Sequence, residues 1–325
     1  MRIVFFGSPE YALPTLRRLI AEPKVHLVAV VTQPDRPRGR SKRSIPTPVK
    51  QLATEVDIPV LTPDKISHDI TAQIATFDPD AGVLAASAHI LPTHLIDSFP
   101  HGILNVHASL LPHHRGASPI ASSILRGDTQ AGVSIMLIVR ELDAGPVLGK
   151  ASIPISPLDT TATLTPRIAD LGSDLLLELL PGWVNGSVEA VPQNHALASY
   201  APILNKDDGA IDWSRSADEI WRSIRAFNPW PLATTSYLND RLTIHAAWPV
   251  AAPEDRTPGR ISNGDGAIVS DLLPERRALA VVACGNNPKN HSGLALLRIQ
   301  RTGRRALNIE DYLNGDRNLC TTQLG

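Results

Sequence analysis

Cysteine is scarce in this chain of 325 residues: Cys284 and Cys320 are the only two, and neither stands at metal-ligand or redox spacing. That argues against a disulfide scaffold and a zinc site, and no metal is expected. No long apolar run occurs, so no membrane-spanning segment is expected. The first residues, Met1-Arg2-Ile3-Val4-Phe5-Phe6-Gly7, read as a strand entering a turn and are too short for a secretory leader; a cytoplasmic protein is expected. Heptads are missing, which gives no reason to expect more than a monomer. Two nucleotide signatures are missing as well. The turn Gly7-Ser8-Pro9-Glu10-Tyr11-Ala12 lacks G-x-G-x-x-G spacing, Pro9 removes a backbone donor that a pyrophosphate would use, and no P-loop sequence follows. A nicotinamide or nucleoside triphosphate cofactor is therefore disfavoured.

What is present is ample apolar material. Hydrophobic residues make up 43% of the chain and the net charge is −1, so a full core is expected and disorder is not. The length favours two domains. Apolar strand runs at residues 2–7, 27–33, 60–61, 82–86, 102–107 and 133–138 alternate with helical stripes, among them Leu13, Leu16, Leu19 and Ile20, and Ile70, Ile74 and Phe77. This pattern predicts an α/β domain over residues 1–190, a doubly wound, mostly parallel sheet with helices on both faces. Residues 191–205 show little periodicity and read as a linker. Residues 206–325 begin with a capping box, Ser216-Ala217-Asp218-Glu219, and continue as short strand candidates with turn signals, which suggests a small β-barrel. Arg298, Arg301, Arg304 and Arg305 give that domain a basic end. Either RNA contact or plain solvation would account for them.

Asn105-Val106-His107 ends an otherwise apolar strand. Side chains two apart share a face, so an amide and an imidazole stand together. Each buried polar group left without a partner costs about 1–3 kcal/mol. A hydrogen-bonded core pair or a pair held for chemistry both satisfy this constraint. Ligands of parallel sheets bind beyond the carboxyl ends of strands, and the turn after Ile138, Glu141-Leu142-Asp143-Ala144-Gly145, emerges at such an end. Asp143 is a candidate third member, or a loop aspartate making an Asx-turn. The segment from Arg36 to Arg43 holds five cations, Arg36, Arg38, Arg40, Lys42 and Arg43. Pro34, Pro37 and Gly39 exclude a regular helix there. In a chain so nearly neutral, this is either a polyanion footprint or a solvated loop.

A family resemblance adds to this. Phe5-Phe6-Gly7-Ser8-Pro9-Glu10, Gln33-Pro34-Asp35-Arg36-Pro37, Pro46-Thr47-Pro48-Val49-Lys50, Ile90-Leu91-Pro92, Asn105-Val106-His107-Ala108-Ser109-Leu110-Leu111-Pro112, Arg115-Gly116-Ala117-Ser118-Pro119-Ile120 and Leu142-Asp143-Ala144-Gly145-Pro146 resemble motifs of the folate-dependent formyltransferases. Tyr200-Ala201-Pro202, Ile211-Asp212-Trp213 and Ile224-Arg225-Ala226-Phe227-Asn228-Pro229-Trp230-Pro231 narrow the likeness to the methionyl-tRNA formyltransferase family. The likeness spans nearly the whole chain, in order. It implies formyl transfer from 10-formyltetrahydrofolate, as co-substrate, to the amino group of methionyl initiator tRNA. It implies a formyltransferase-type, Rossmann-like first domain and an OB-like, tRNA-binding barrel. Asn105, His107 and Asp143 match the family's catalytic trio. Arg36, Arg38, Arg40, Lys42 and Arg43 lie in the segment matching its acceptor-stem loop. Ser87, Ala88, His89, Ile90 and Leu91, with Ser109, Leu110, Leu111 and Pro112, match its folate side. One departure stands out: the family carries Tyr-Gly ahead of the segment matching Ile90-Leu91-Pro92, where this chain reads Ser87-Ala88-His89.

The chemistry expected of the trio is simple. The α-amine of an aminoacyl ester titrates near or below about 7.7–8.0, so a useful fraction is neutral at physiological pH. As it attacks the formyl carbon, Asn105 and a protonated His107 are expected to donate to the developing oxyanion. Asp143 is expected to orient the imidazole and favour its cation. Two rivals stay open: another amine acceptor, such as a sugar-nucleotide amine, and a tRNA-binding protein without catalysis.

Overall fold

The computed structural model describes residues 1–38, 43–87, 89–285, 292–316 and 318–325. The chain forms two compact units, one of Met1–Pro119, Thr129–Pro154 and Leu164–Pro202, the other of Ile120–Asp128, Ile155–Thr163 and Ile203–Gly325.

The elements up to the first long helix are β1 (Arg2–Gly7), α1 (Leu13–Ala21), β2 (His26–Val31), β3 (Arg36–Arg38), β4 (Arg43–Ile45), α2 (Pro48–Glu55), β5 (Val60–Leu61), α3 (His68–Ala75), β6 (Ala81–Ala85), α4 (Thr93–Ile96), β7 (Ile103–His107), β8 (Arg115–Gly116), α5 (Pro119–Arg126), β9 (Gln130–Leu137), β10 (Val147–Pro154) and α6 (Thr161–Val184). Seven of the strands make one sheet in the order β10-β9-β7-β6-β1-β2-β5. β7, β6, β1, β2 and β5 run parallel, and β9 is antiparallel to both of its neighbours. The inner strands β1, β6 and β7 are largely apolar apart from Arg2, Asn105 and His107, because both faces of the sheet are covered, and their side chains are almost entirely buried. Helix starts follow local chemistry. The Thr47 hydroxyl accepts from the Lys50 N–H at 3.0 Å, with Pro48 in the first turn of α2, and the Ser67 hydroxyl accepts from Ile70 N–H at 3.3 Å to begin α3. On the α6 side, Gly172 lets the helix lie close to β7 and β9: a Cβ there would stand 2.6 Å from Val106 Cγ1 and 2.9 Å from Val133 Cγ2.

Residues 191–205, read from sequence as a linker, are tied into the first unit as far as Pro202. Val191 bridges Val147, and β11 (Tyr200–Ala201) pairs in parallel with β8. A strap of this kind carries no periodicity, because its backbone groups are satisfied by distant loops rather than by a helix or a hairpin of its own.

The second unit holds α7 (Ala217–Ala226), β12 (Ala233–Tyr237), β13 (Asp240–Val250), β14 (Ile261–Asn263), β15 (Ala280–Ala283), β16 (Gly293–Arg301), β17 (Leu307–Asn308) and α8 (Ile309–Gly315). The capping box is present at α7: Ser216 Oγ accepts from Glu219 N–H, and the Glu219 carboxylate accepts from Ser216 N–H at 3.1 Å. The Ser216 hydroxyl, which donates to the same carboxylate at 2.7 Å, then Arg215 and the Ser216 N–H, hold the Glu219 carboxyl at about 2. The sheet is antiparallel, in the order β12-β13-β16-β15-β14 with β17 added on β16. Its apolar side packs Ile220, Ile224, Leu242, Ile244, Leu294 and Leu296 into one core. The closed barrel expected from sequence is not formed among the described residues. Its end strands β12 and β14 do not pair with each other, because the tail reaches both. Ile261 N–H donates to Thr322 O at 3.0 Å, Leu324 N–H to Gly259 O at 2.8 Å, and Gly325 N–H to Ser236 O at 3.4 Å. Between β14 and β15, Ile268 and Arg277 form a single isolated bridge. Of the four arginines of the basic end, Arg301 is engaged within the unit, 3.3 Å from Asp240 and over the Tyr237 ring. Arg298, Arg304 and Arg305 are exposed.

The tight seat of α6 gives a test. Gly172→Val should lower the unfolding free energy by about 1–3 kcal/mol, the usual penalty of overpacking. A urea denaturation midpoint equal to the parent's would show that the helix can move away freely.

Candidate active site

The site grows from the end of β7. Strand alternation puts Asn105 and His107 on one face, where they remain only 9% and 6% exposed. Beyond His107 the chain is pinned at several points. Ser109 N–H donates to His107 O at 2.8 Å and Ser109 Oγ to His113 O at 2.6 Å. Ser134 of β9 donates through Oγ to Ser109 O at 2.7 Å and accepts from Leu111 N–H at 3.1 Å. Lys150 of β10 donates to the Leu111 carbonyl. Leu111 is buried with Met136 and Val147, Leu110 lies against Gly132, and the Pro112 carbonyl accepts from Ser199 N–H at 3.3 Å. Ser109, Leu110, Leu111 and Pro112 thus form a fixed ledge beside the imidazole.

His107 and Asp143, 36 positions apart in sequence, meet: His107 Nδ1 lies 3.8 Å from Asp143 Oδ1. The other ring nitrogen, Nε2, is 3.2 Å from the His114 carbonyl oxygen. A carbonyl only accepts, so Nε2 carries the hydrogen and Nδ1 presents its lone pair towards the carboxylate. Asp143 Oδ2 accepts from Gly116 N–H at 2.7 Å, which aims the carboxylate. Burial pulls the His107 pKa below the ordinary histidine value. Asp143 and the hydrogen bond to the His114 carbonyl oppose that pull, while the charges of His114 and Arg115 add to it. Burial thus favours the neutral imidazole in the free protein, and the protonated ring expected during the reaction would form against that cost. The degree of burial decides this, and a sequence does not display it. The Asn105 amide stands on the same face of the strand end as the ring.

The loop leaving β6 rises beside this pair, since Leu84 is in register with Asn105. Here the chain differs from its family pattern, and the structure accounts for the histidine. His89 turns inward, its Nε2 donating to Pro63 O at 2.9 Å while its own N–H donates to Ser87 Oγ at 3.2 Å. Leu91 packs into the core around Leu95 and Phe99, and Ile90 is 91% exposed. Ala88 lies outside the described residues.

The basic segment begins and ends as a two-stranded ribbon, β3 against β4, with Arg38 opposite Arg43. Its base is anchored by Lys50, which donates to both oxygens of Asp35 at 2.8 and 2.9 Å, and by Gln33 N–H donating to Ser8 Oγ at 3.1 Å. Arg36 is exposed and touches Gln33. Arg40, Lys42 and the side chains of Arg38 and Arg43 fall outside the described residues. Among the described residues, no group of His, Cys, Asp or Glu could hold a metal ion, and no helix is long and apolar enough to cross a membrane.

Sequence reading missed the residues that hold the trio. Gly116 is one. It has φ 113°, and a Cβ would stand 2.6 Å from Ala201 O, so only glycine lets its N–H reach Asp143. Ser134, Lys150 and Gln193 carry no local signal, since each acts on a loop far away in sequence.

Comparison with known proteins places this geometry. Residues 1–180 match the family model for formyl transferase, and residues 203–317 match that for the formyl transferase C-terminal domain. A methionyl-tRNA formyltransferase of Roseiflexus sp. is 41% identical over 318 residues, 97% of this chain and 92% of that protein. One from Pseudomonas fluorescens is 42% identical over 318 residues, 98% of this chain and 94% of that protein. Among solved structures, WlaRD, a sugar 3N-formyl transferase crystallised in the presence of dTDP and 5-N-formyl-THF, shares the fold with a TM-score of 0.63 at 17% identity, covering 94% of this chain and 99% of that one.

The lowered His107 pKa has a stability consequence. The unfolded chain takes up a proton near pH 6.5, the unperturbed value, before the native state does. The stabilisation is therefore fully present above that pH and is lost as pH falls towards the native pKa. His107→Gln should flatten the fall in unfolding free energy below about pH 6.5, measured by urea titration across pH. An unaltered slope would mean that the imidazole titrates alike in both states.

Proposed function

The chain belongs to the formyl transferase family, and from that membership we propose its reaction. It transfers a formyl group from 10-formyltetrahydrofolate to the α-amino group of methionyl initiator tRNA, and so serves translation initiation. The observation that carries the assignment of roles is the His107–Asp143 pair at the end of the strand that also carries Asn105.

The co-substrate supplies the formyl carbon; the chain's own groups do the rest. The aminoacyl amine is partly neutral at physiological pH and needs no strong base to attack. Asn105 donates to the formyl oxygen as negative charge develops on it, a contact worth about 10²–10³ in rate for a single donor. Neutral His107 receives the proton released by the attacking nitrogen. Nδ1 is the favoured acceptor, because protonation there makes an ion pair with Asp143 at 3.8 Å. The same imidazolium then returns the proton to the departing folate nitrogen. Polarisation of the carbonyl comes from a hydrogen bond.

The ledge of Ser109, Leu110, Leu111 and Pro112, and the loop of Ser87, Ala88, His89, Ile90 and Leu91, are read as the folate side. Both leave the sheet at the carboxyl end next to β7, where ligands of such sheets bind. Arg36, Arg38, Arg40, Lys42 and Arg43 are read as the contact to the tRNA acceptor end. The open antiparallel sheet of the second unit, with Arg298, Arg304 and Arg305 exposed, is read as an OB-like second tRNA surface. The domains are read as catalytic over residues 1–190 and tRNA-binding over 206–325. A cytoplasmic monomer, with no membrane partner, suits a substrate met at translation initiation.

Incubation with 10-formyltetrahydrofolate and charged initiator tRNA should yield formyl-methionine, and Asn105→Ala should lower kcat by about 10²–10³ with tRNA affinity retained. No product alongside tight tRNA binding would favour a binding protein instead. Neutralising all five cations from Arg36 to Arg43 should weaken tRNA binding and flatten its dependence on salt. An unchanged salt slope in a filter-binding titration would remove that ribbon from the interface.

A further inference from the structure

Asp143 stands in a backbone conformation that carries a cost for a residue with a Cβ. Its φ is 47°, in the left-handed region, which disfavours a residue with a Cβ by about 1–2 kcal/mol. Two contacts stabilise the turn that imposes this. The first is Gly116 N–H on Oδ2. The second comes from Gln193, on the strap that joins the first unit after α6. Gln193 Nε2 donates to the Asp143 carbonyl at 2.9 Å and to the Gly145 carbonyl at 2.7 Å, bracketing the turn. Its Oε1 accepts from Arg115 Nε at 3.2 Å and Nη2 at 2.7 Å. The amide orientation is fixed by its partners: a guanidinium only donates and a carbonyl only accepts. Gln193 is 8% exposed and every face of its amide is used. The result is a closed circuit. The Arg115 side chain grips Gln193, Gln193 grips the Asp143 backbone, and the Gly116 N–H next to Arg115 grips the Asp143 carboxylate.

We propose that Gln193 is a positioning residue which, locked by Arg115, holds the Asp143 turn so that its carboxylate faces His107. This rests on the roles given to His107 and Asp143 above. Gln193 touches no reacting atom. Its contribution is to keep one oxygen of Asp143 within 3.8 Å of the imidazole while the other stays on Gly116. A turn released from Gln193 loses two of its donors at once and relaxes away from the left-handed conformation, taking the carboxylate with it. Attraction between charges falls with distance, so the proton on His107 Nδ1 is then held less well and the imidazole titrates at lower pH.

The test follows the His107 ring by NMR in protein labelled at histidine nitrogen, its signal assigned with His107→Gln. Three proteins are compared: the parent, Asp143→Asn, which removes the carboxylate's charge, and Gln193→Met, which is neutral and of similar volume. In Gln193→Met the His107 titration should move to lower pH, towards that of Asp143→Asn. The kcat should fall by about 100-fold, as expected for a misplaced group, with KM for the charged tRNA unchanged. A folded Gln193→Met whose His107 titrates as in the parent overturns the proposal, whatever its activity. Should Gln193→Met fail to fold, Gln193→Glu still offers Arg115 an acceptor but has no N–H for Asp143 or Gly145. A similar loss of kcat at constant KM supports the proposal, and a parental kcat overturns it. A parent enzyme that forms no formyl-methionine would overturn the functional reading, and the titration would still decide the role of Gln193.

Discussion

The approach of one carboxylate to one buried imidazole is the constraint on which the rest of the first unit depends. Alone, His107 would be a neutral ring at the end of an apolar strand, pushed by burial away from its charged form. Asp143 opposes that push without overcoming it, so the ring rests neutral but gains an ion pair on accepting a proton. This asymmetry suits a group that must take a proton and give it back. It requires a distance held from both sides: the His114 carbonyl, in the loop after β7, fixes the ring, and the Gly116 N–H of β8 fixes the carboxylate in the turn after β9. The surrounding serines, Lys150 and the strap all immobilise one of those two loops.

Much of this was legible beforehand, for identifiable reasons. Strand alternation placed Asn105 beside His107, and the rule that ligands gather at the carboxyl ends of parallel strands brought Asp143 to the same edge. Both inferences need only local pattern and topology. The charge state of His107 was not legible, because it depends on how completely other segments cover the ring. Gln193 was not legible either. It acts on Asp143 from 50 positions away, on a strap whose irregular sequence looks like a linker until its partners are in place. The difference at Ser87-Ala88-His89 finds a partial account in the inward turn of His89 onto the Pro63 carbonyl.

In the second unit the sequence announced the capped helix and several of the strands but not the shape of the sheet. Alternating residues in β12 and β13 show which face is apolar. They do not show whether the margins meet. That depends on the tail, whose hydrogen bonds to Ile261, Gly259 and Ser236 take up the groups through which closure would have occurred.

The tail's position has a wider consequence. A sheet margin with unpaired amides and carbonyls is a template on which another chain can lay a strand. Here both margins of one sheet are guarded by the same few residues, 322–325, so protection against self-association is concentrated in a segment with no part in the chemistry. A change there would leave His107 and Asp143 untouched, yet expose two adhesive borders at once and make copies of the chain prone to stacking on one another.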